Sequence, residues 1–203
     1  MADNVKGRSY VSQARQAQAE ATRTRTLAAA AELFLANGYA GTSGRAVAQA
    51  AGVSEATVFA VFGSKAGLLL QVIVGRVADD GDFPIRRLEA WEGLGPGGRL
   101  ERFARIVRRA HERSWRLLAI CAAAAESDRK LADAMVRGAE RRHGDIAWLL
   151  REVFGVPETS LGRVADEVWA VSSVDGYRQL VVDRGRPAED YEAWLVRVTG
   201  ALV

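Results

Sequence analysis

The 203-residue sequence contains few residue types that could form a crosslink or bind a metal ion, with one cysteine and two histidines. Because Cys121 is alone, it cannot form an intramolecular disulfide, and nothing in the fold requires an oxidising compartment. His111 and His143 lie far apart on charged segments, and no nucleophile is placed beside either of them. We therefore expect neither a catalytic site nor a metal site, and we expect no cofactor.

Long hydrophobic runs are also missing from the sequence. The longest apolar run covers residues 117–125, which is far shorter than the ~20 residues of a membrane span. The first 25 residues are polar and alanine-rich and lack the apolar segment of a secretory signal. These absences predict a soluble, cytoplasmic protein with no membrane partner.

The composition is that of a globular chain, with 49% hydrophobic and 26% charged residues. Its net charge of +3 is unevenly distributed. Residues 1–78 contain eight Lys or Arg against four Asp or Glu, whereas residues 79–203 contain twenty against twenty-one. This N-terminal excess of positive charge indicates either a polyanionic partner or a simple solvated surface, and charge alone does not decide between them.

The apolar pattern is helical along nearly the whole chain. Residues such as Leu27, Ala31 and Phe34 recur at spacings of three and four, and no segment alternates in the manner of a strand. Three short helices are predicted within residues 43–80, and longer ones over about 99–113, 115–126, 129–154, 159–184 and 188–202. Glycine-rich breaks separate them at 79–82 and 93–98. The fold class is therefore all-α, with about nine helices in total.

Two of the short helices have the pattern of a helix-turn-helix. Gly52 permits a tight turn after the first helix, and Ser54 is suited to cap the second. The apolar positions that would form one small shared core are Val47, Ala51, Val53, Val58 and Phe62. In a helix-turn-helix the second helix enters the major groove of DNA. An ordinary helical corner with capping serines is the alternative interpretation.

Three motifs in register support the DNA-binding interpretation. They are Phe34-x3-Gly38-Tyr39, Val47-Ala48-x2-Ala51-Gly52-Val53-Ser54 and Phe62-x2-Lys65-x2-Leu68. With them, the segment from about residue 24 to 73 resembles the DNA-binding domain of the TetR family of bacterial transcriptional regulators. The resemblance implies a helix-turn-helix domain over 24–76 and a helical ligand-binding and dimerisation domain over 77–203. The N-terminal arm, residues 1–23, holds four basic residues and is either a minor-groove arm or a disordered terminus.

The resemblance also implies a function. Proteins of this family are typically homodimers that bind double-stranded DNA at a palindromic operator as repressors and release it when a small molecule binds. The residues that the resemblance and the exposed face of the second helix assign to DNA contact are Thr42, Ser43, Arg45, Ser54, Glu55, Ala56, Thr57, Phe59, Ala60 and Lys65. The alternative hypothesis is a helical ligand-binding or protein-interaction dimer whose DNA binding is weak or lost.

The sequence departs from the family pattern on the second helix. Ala56 stands where the family usually has glycine, Phe59 where it has tyrosine, and Val61 where it has a polar residue. The exposed surface therefore offers few hydrogen-bond donors, and base contacts would depend on thymine methyl groups and on Glu55. Arg45 is then the best candidate for a guanine contact.

The C-terminal helices carry two further predictions. An apolar stripe on the last helix, with an apolar preceding helix, predicts a dimer interface formed by Val168, Val171, Tyr191, Trp194, Leu195 and Val198. Bulky residues with two polar anchors predict a mainly apolar ligand pocket lined by Trp115, Leu118, Cys121, Trp148, Trp169, Ser173 and Tyr177. Packing within the monomer is the alternative for both sets.

Overall fold

In the computed structural model, residues 3–78 and 85–203 are described, and side chains over 15–77 and 85–203. These residues contain helices and no strand, which confirms the all-α prediction. The helices are α1 (Asp3–Asn37), α2 (Gly44–Ala51), α3 (Glu55–Phe62), α4 (Lys65–Ala78), α5 (Pro96–Ala125), α6 (Arg129–Glu152), α7 (Glu158–Val171), α8 (Val174–Tyr177) and α9 (Ala188–Gly200). A 3₁₀ turn covers Leu88–Trp91, and α8 continues as a π-helical turn over Arg178–Asp183.

Two compact units divide these helices. The N-terminal unit comprises the described residues up to Ile73 together with Ile120–Leu131. Its core contains the fully buried side chains of Phe34, Val47, Val58, Leu68 and Leu69. Of the five apolar residues predicted to form the small shared core, four are buried and Val53 is half-buried.

The C-terminal unit comprises Val74–Ala119 and Ala132–Val203. Its larger core cluster joins the 3₁₀ turn and helices α5, α6 and α7, with Trp91, Phe103 and Leu149 among its buried members. A smaller cluster contains Ala104 from α5, Tyr177 from α8 and two residues of α9.

Two helix boundaries in the C-terminal half differ from the prediction. The helices predicted over 99–113 and 115–126 are one continuous helix, α5. Ser114 lies at the expected break, where its buried hydroxyl donates to the carbonyl of Ala110 at 2.6 Å and so remains compatible with the helix. Conversely, the helix predicted over 159–184 is interrupted, because Ser172 ends α7 and the Ser173 hydroxyl caps α8.

The N-terminal boundary also differs from the expectation of a flexible arm. Helix α1 extends from Asp3, so residues 3–23 form the first part of the helix that precedes the helix-turn-helix of α2 and α3. The side chains of Lys6 and Arg8 lie outside the described residues. Arg23 donates to the side chain of Gln71 on α4 at 2.7 Å, so its guanidinium is bound within the N-terminal unit.

No single helix in the described part of the chain is both long and apolar enough to span a membrane. The pair Glu55–Phe62 and Lys65–Val77 reaches that length and composition only when the two are joined, and they are bent by 66°.

Candidate DNA-binding site

The turn between α2 and α3 is built from backbone and capping hydrogen bonds. Gly52 adopts φ +68°, and its N–H donates to the carbonyls of Ala48 and Gln49. The N–H of Val53 also donates to Ala48 at 3.0 Å. Because the left-handed conformation is unfavourable for residues with a Cβ, the tight turn between the helices depends on glycine at position 52.

Each of the two helices begins with a serine cap. Ser43 Oγ accepts the N–H of Ala46 at 3.1 Å, and Ser54 Oγ accepts the N–H of Thr57 at 3.0 Å. The Ser54 and Thr57 hydroxyls also bond to each other at 2.8 Å. Both serines are exposed, and the Ser43 hydroxyl, which accepts from the helix, keeps its own hydrogen for a partner on the surface.

The predicted contact residues of α3 share its exposed face. Glu55, Ala56, Thr57 and Ala60 are exposed, while Val58 on the opposite face is buried in the core. Helix α3 is thus fixed by one face and presents the other to solvent, as a recognition helix must.

Helix α2 adds polar side chains beside this face. Arg45 and Gln49 are exposed one turn apart, and no ion pair joins Arg45 to any described residue. Both line a depression of about 530 Å³ with Ala48, Val53 and Glu55. Sequence reasoning missed Gln49, although its i+4 spacing from Arg45 places it on the same side of the helix.

Phe59 lies against the start of α2. A Cβ built on the buried Gly44 would approach Phe59 Cζ to 2.5 Å and Glu55 Oε1 to 3.0 Å. Phe59 is 37% exposed, so part of the ring packs over Gly44 and the rest faces solvent. The absence of a side chain at Gly44 therefore permits the close approach of α2 and α3.

The assignment of Thr42 to DNA contact is wrong for its side chain. Thr42 is 1% exposed, and its hydroxyl lies 2.8 Å from the carbonyl of Gly38 and 3.0 Å from that of Leu33. A hydroxyl has one hydrogen, and Thr42 already donates it to these carbonyls, so none is left for a phosphate oxygen. Thr42 therefore fastens the end of α1 to the start of α2 instead of facing DNA.

Lys65 is half-buried at the start of α4 and is positioned by Tyr39. Its Nζ donates to the carbonyl of Tyr39 at 3.0 Å and lies 4.3 Å from the centre of the Tyr39 ring. The Tyr39 hydroxyl in turn donates to the carboxylate of Asp128 at 2.8 Å. That hydrogen bond lowers the pKa of Asp128, while burial and Asp128 raise the pKa of Tyr39.

The structure distributes the predicted pocket residues instead of gathering them. Trp148 and Trp169 pack against the larger cluster, whereas Trp115 packs against the smaller cluster that contains Tyr177. Cys121 is buried, but it belongs to the N-terminal unit. Ser173 Oγ accepts the N–H of Gly176 as a helix cap.

Three of the six predicted dimer residues are core residues of the chain itself. Val168, Tyr191 and Leu195 are each no more than 1% exposed. The apolar stripe of α9 packs within its own unit. The spacing of apolar residues predicts a buried face, but it does not tell whether the same chain or a second subunit covers that face. Val171, Trp194 and Val198 are half-buried, so only these three retain surface for a second subunit.

Comparisons with known proteins agree with this architecture. Residues 27–72 match the family model for bacterial regulatory proteins of the tetR family. A search of curated protein sequences found no match.

Solved structures with the same fold cover nearly the whole chain. A candidate TetR-family transcriptional regulator from Mesorhizobium loti has a TM-score of 0.70 and 19% identity, over 91% of this chain and 96% of that one. A transcriptional regulator from Rhodococcus sp. has a TM-score of 0.61 and 22% identity, over 88% and 94%. NalD, the secondary repressor of the MexAB-OprM multidrug efflux pump in Pseudomonas aeruginosa, has a TM-score of 0.65 and 23% identity, over 91% and 96%. The α2–α3 geometry and the match over residues 27–72 identify an N-terminal DNA-binding domain of the tetR type, and the chain as a whole shares the fold of these regulators.

Proposed function

We propose that this chain represses transcription as a homodimer bound to a palindromic operator in the cytoplasm, and that a small, mainly apolar molecule releases it. The observation that carries the proposal is the exposed face of α2 and α3, where Arg45 projects without an intrachain ion pair among the described residues. The family implies no enzymatic activity.

The exposed face divides into groups for phosphates and groups for bases. The Ser43 hydroxyl, one hydroxyl hydrogen of the Ser54–Thr57 pair and the N–H groups that Lys65 does not donate to Tyr39 are donors for phosphate oxygens. Arg45 would bind guanine, and Glu55 would accept from a cytosine amino group. The apolar positions Ala56, Phe59 and Ala60 suit thymine methyl groups.

The dimer would use the half-buried flank of α7 and α9 formed by Val171, Trp194 and Val198. A two-fold dimer presents two recognition helices and therefore requires a palindromic operator with half-sites about one helical turn apart. The half-buried aromatic residues of the C-terminal unit would line the effector site, and the shared fold with the repressor NalD supports assigning repression.

The direct test measures binding of the purified protein to the DNA that flanks its own coding sequence. We expect a specific complex with an inverted repeat and a steep loss of affinity with salt, because phosphate contacts release counterions. Arg45→Ala should weaken the specific complex about 5- to 150-fold, equivalent to the ~1–3 kcal/mol of a bidentate base contact, and relax base preference at one position per half-site.

Arg137→Ala is the matched control, because Arg137 is exposed on α6 and its loss changes the net charge equally. It should leave the complex unchanged. Equal losses in both variants would refute the base contact, and the absence of any specific complex would favour the non-DNA-binding alternative.

A further inference from the structure

Arg142 on α6 is bonded only to neutral partners. Its Nη1 donates to the carbonyl and hydroxyl of Ser172 at 3.0 and 3.2 Å, and its Nη2 donates to the carbonyl of Trp169 at 2.9 Å. Its Cζ lies 4.8 Å from the centre of the Trp169 ring. No carboxylate in the described part of the chain pairs with this guanidinium.

Arg142 is half-buried, and burial lowers the pKa of its guanidinium. The carbonyls at the end of α7 compensate its charge in part, since a helix C-terminus carries partial negative charge. The neighbouring titratable groups contribute no negative charge. Burial and the charge of Arg142 lower the pKa of His111 to about 3, and burial raises the pKa of Tyr191.

Trp169, on whose ring the Arg142 guanidinium stacks, carries an unsatisfied donor. Its indole Nε1 is buried and has no hydrogen-bond partner. Buried donors without acceptors are uncommon in folded proteins, because each costs the desolvation of a polar group. Two of the five N–H groups of Arg142 are likewise uncommitted, since its three hydrogen bonds use three of them.

We propose that Arg142 and the Trp169 indole N–H form an anion site in the C-terminal unit, and that the effector is an apolar monocarboxylate. A carboxylate supplies the missing counter-ion and has oxygens to accept from both donors. One negative charge balances the single guanidinium, whereas a phosphate dianion would leave excess charge buried. The half-buried rings of Trp169 itself and of Trp148, which pack against the same apolar cluster, suit an apolar remainder.

The effector role of this site rests on the proposed function, but its chemistry is tested without DNA. The full chain, labelled with ¹⁵N, is titrated with benzoate, octanoate and decanoate, and the Trp169 indole resonance is assigned with Trp169→Phe. We expect at least one carboxylate to shift that resonance saturably, while chloride at equal ionic strength and the alcohols benzyl alcohol, octanol and decanol do not. If no carboxylate shifts it, or the alcohols shift it equally, the anion site is refuted.

Two arginine variants separate ligand binding from structural support. Arg142→Gln should lower the affinity for the carboxylate at least about tenfold, which is the loss expected for a hydrogen bond to a charged group. Arg141→Gln, which changes the exposed neighbouring arginine, should not. If Arg142→Gln lowers the unfolding midpoint but leaves carboxylate affinity unchanged, Arg142 only caps α7 and the proposal fails.

DNA binding provides the last measurement. A carboxylate that occupies the site and also lowers operator affinity supports its role as effector. A carboxylate that binds without changing operator affinity refutes that role, whereas failure to bind any DNA contradicts only the proposed function.

Discussion

The buried imidazole of His111 makes stability depend on pH in a calculable way. His111 is 8% exposed and lies among Tyr177, Tyr191 and Arg142, with its Nδ1 3.3 Å from the Tyr191 hydroxyl. Burial, assisted by the charge of Arg142, lowers its pKa from 6.5 to about 3. Between these values the unfolded chain binds a proton that the folded chain does not, so stability rises with pH and is lost as pH falls below 6.5.

The magnitude follows from the two pKa values. At pH 7 the unfolded imidazole is mostly neutral, whereas at pH 5 it is almost fully protonated. With ~1.4 kcal/mol per pH unit, the free energy of unfolding should fall by about 2 kcal/mol from pH 7 to pH 5 on account of this residue.

Urea unfolding at pH 7, 6 and 5 measures this loss. His111→Gln should remove about 2 kcal/mol of the pH-dependent loss, because the variant no longer binds the proton in the unfolded state. His143→Gln is the matched control, since His143 is the other histidine and its side chain is 39% exposed. It should keep the loss. If the wild type and His111→Gln lose equal stability between pH 7 and 5, the neutral buried state of His111 is wrong.

Three further predictions follow from the geometry. Gly44→Ala should displace Phe59 and so lower DNA affinity about tenfold, equal to ~1.4 kcal/mol. The free energy of unfolding should change by less than about 1 kcal/mol. Unchanged DNA affinity would contradict the packing of Phe59 over Gly44. Tyr39→Phe should lower the free energy of unfolding near neutral pH by about 1 kcal/mol, because it removes the hydrogen bond to Asp128. This difference from the wild type should vanish in acid, as Asp128 is protonated below its ordinary pKa of 3.8. A difference that persists in acid would exclude the carboxylate as the acceptor. Trp194→Asp should convert a dimer to monomers in light scattering, and a wild type already monomeric at micromolar concentration would exclude the interface.

The local signals in the sequence were sufficient for the helix-turn-helix. Gly52 and Ser54 act through the nearest turn of backbone, so their roles can be predicted from their neighbours alone. The exposed positions of α3 could be predicted because the apolar residues Val58 and Phe62 mark the buried face of that helix.

The errors occurred where a role depends on distant packing. Thr42 matches a family position, but its burial depends on contact with Leu33 nine residues earlier. The stripe containing Tyr191 and Leu195 correctly indicated a buried face, yet spacing does not tell which surface covers it. The Arg142 environment combines α6 with the end of α7, so no local pattern could have predicted it.

The glycine turn at Gly52 has a consequence for how this protein can change its target. The backbone at Gly52 is set by φ +68°, and buried residues such as Val47 and Val58 hold the two helices together. None of these positions contributes to the exposed α3 surface at Glu55, Ala56 and Ala60. Under the proposed function, substitutions at these three exposed positions would alter the groups offered to base pairs and leave the buried residues unchanged, so a new DNA target would be selected at little cost in folding free energy.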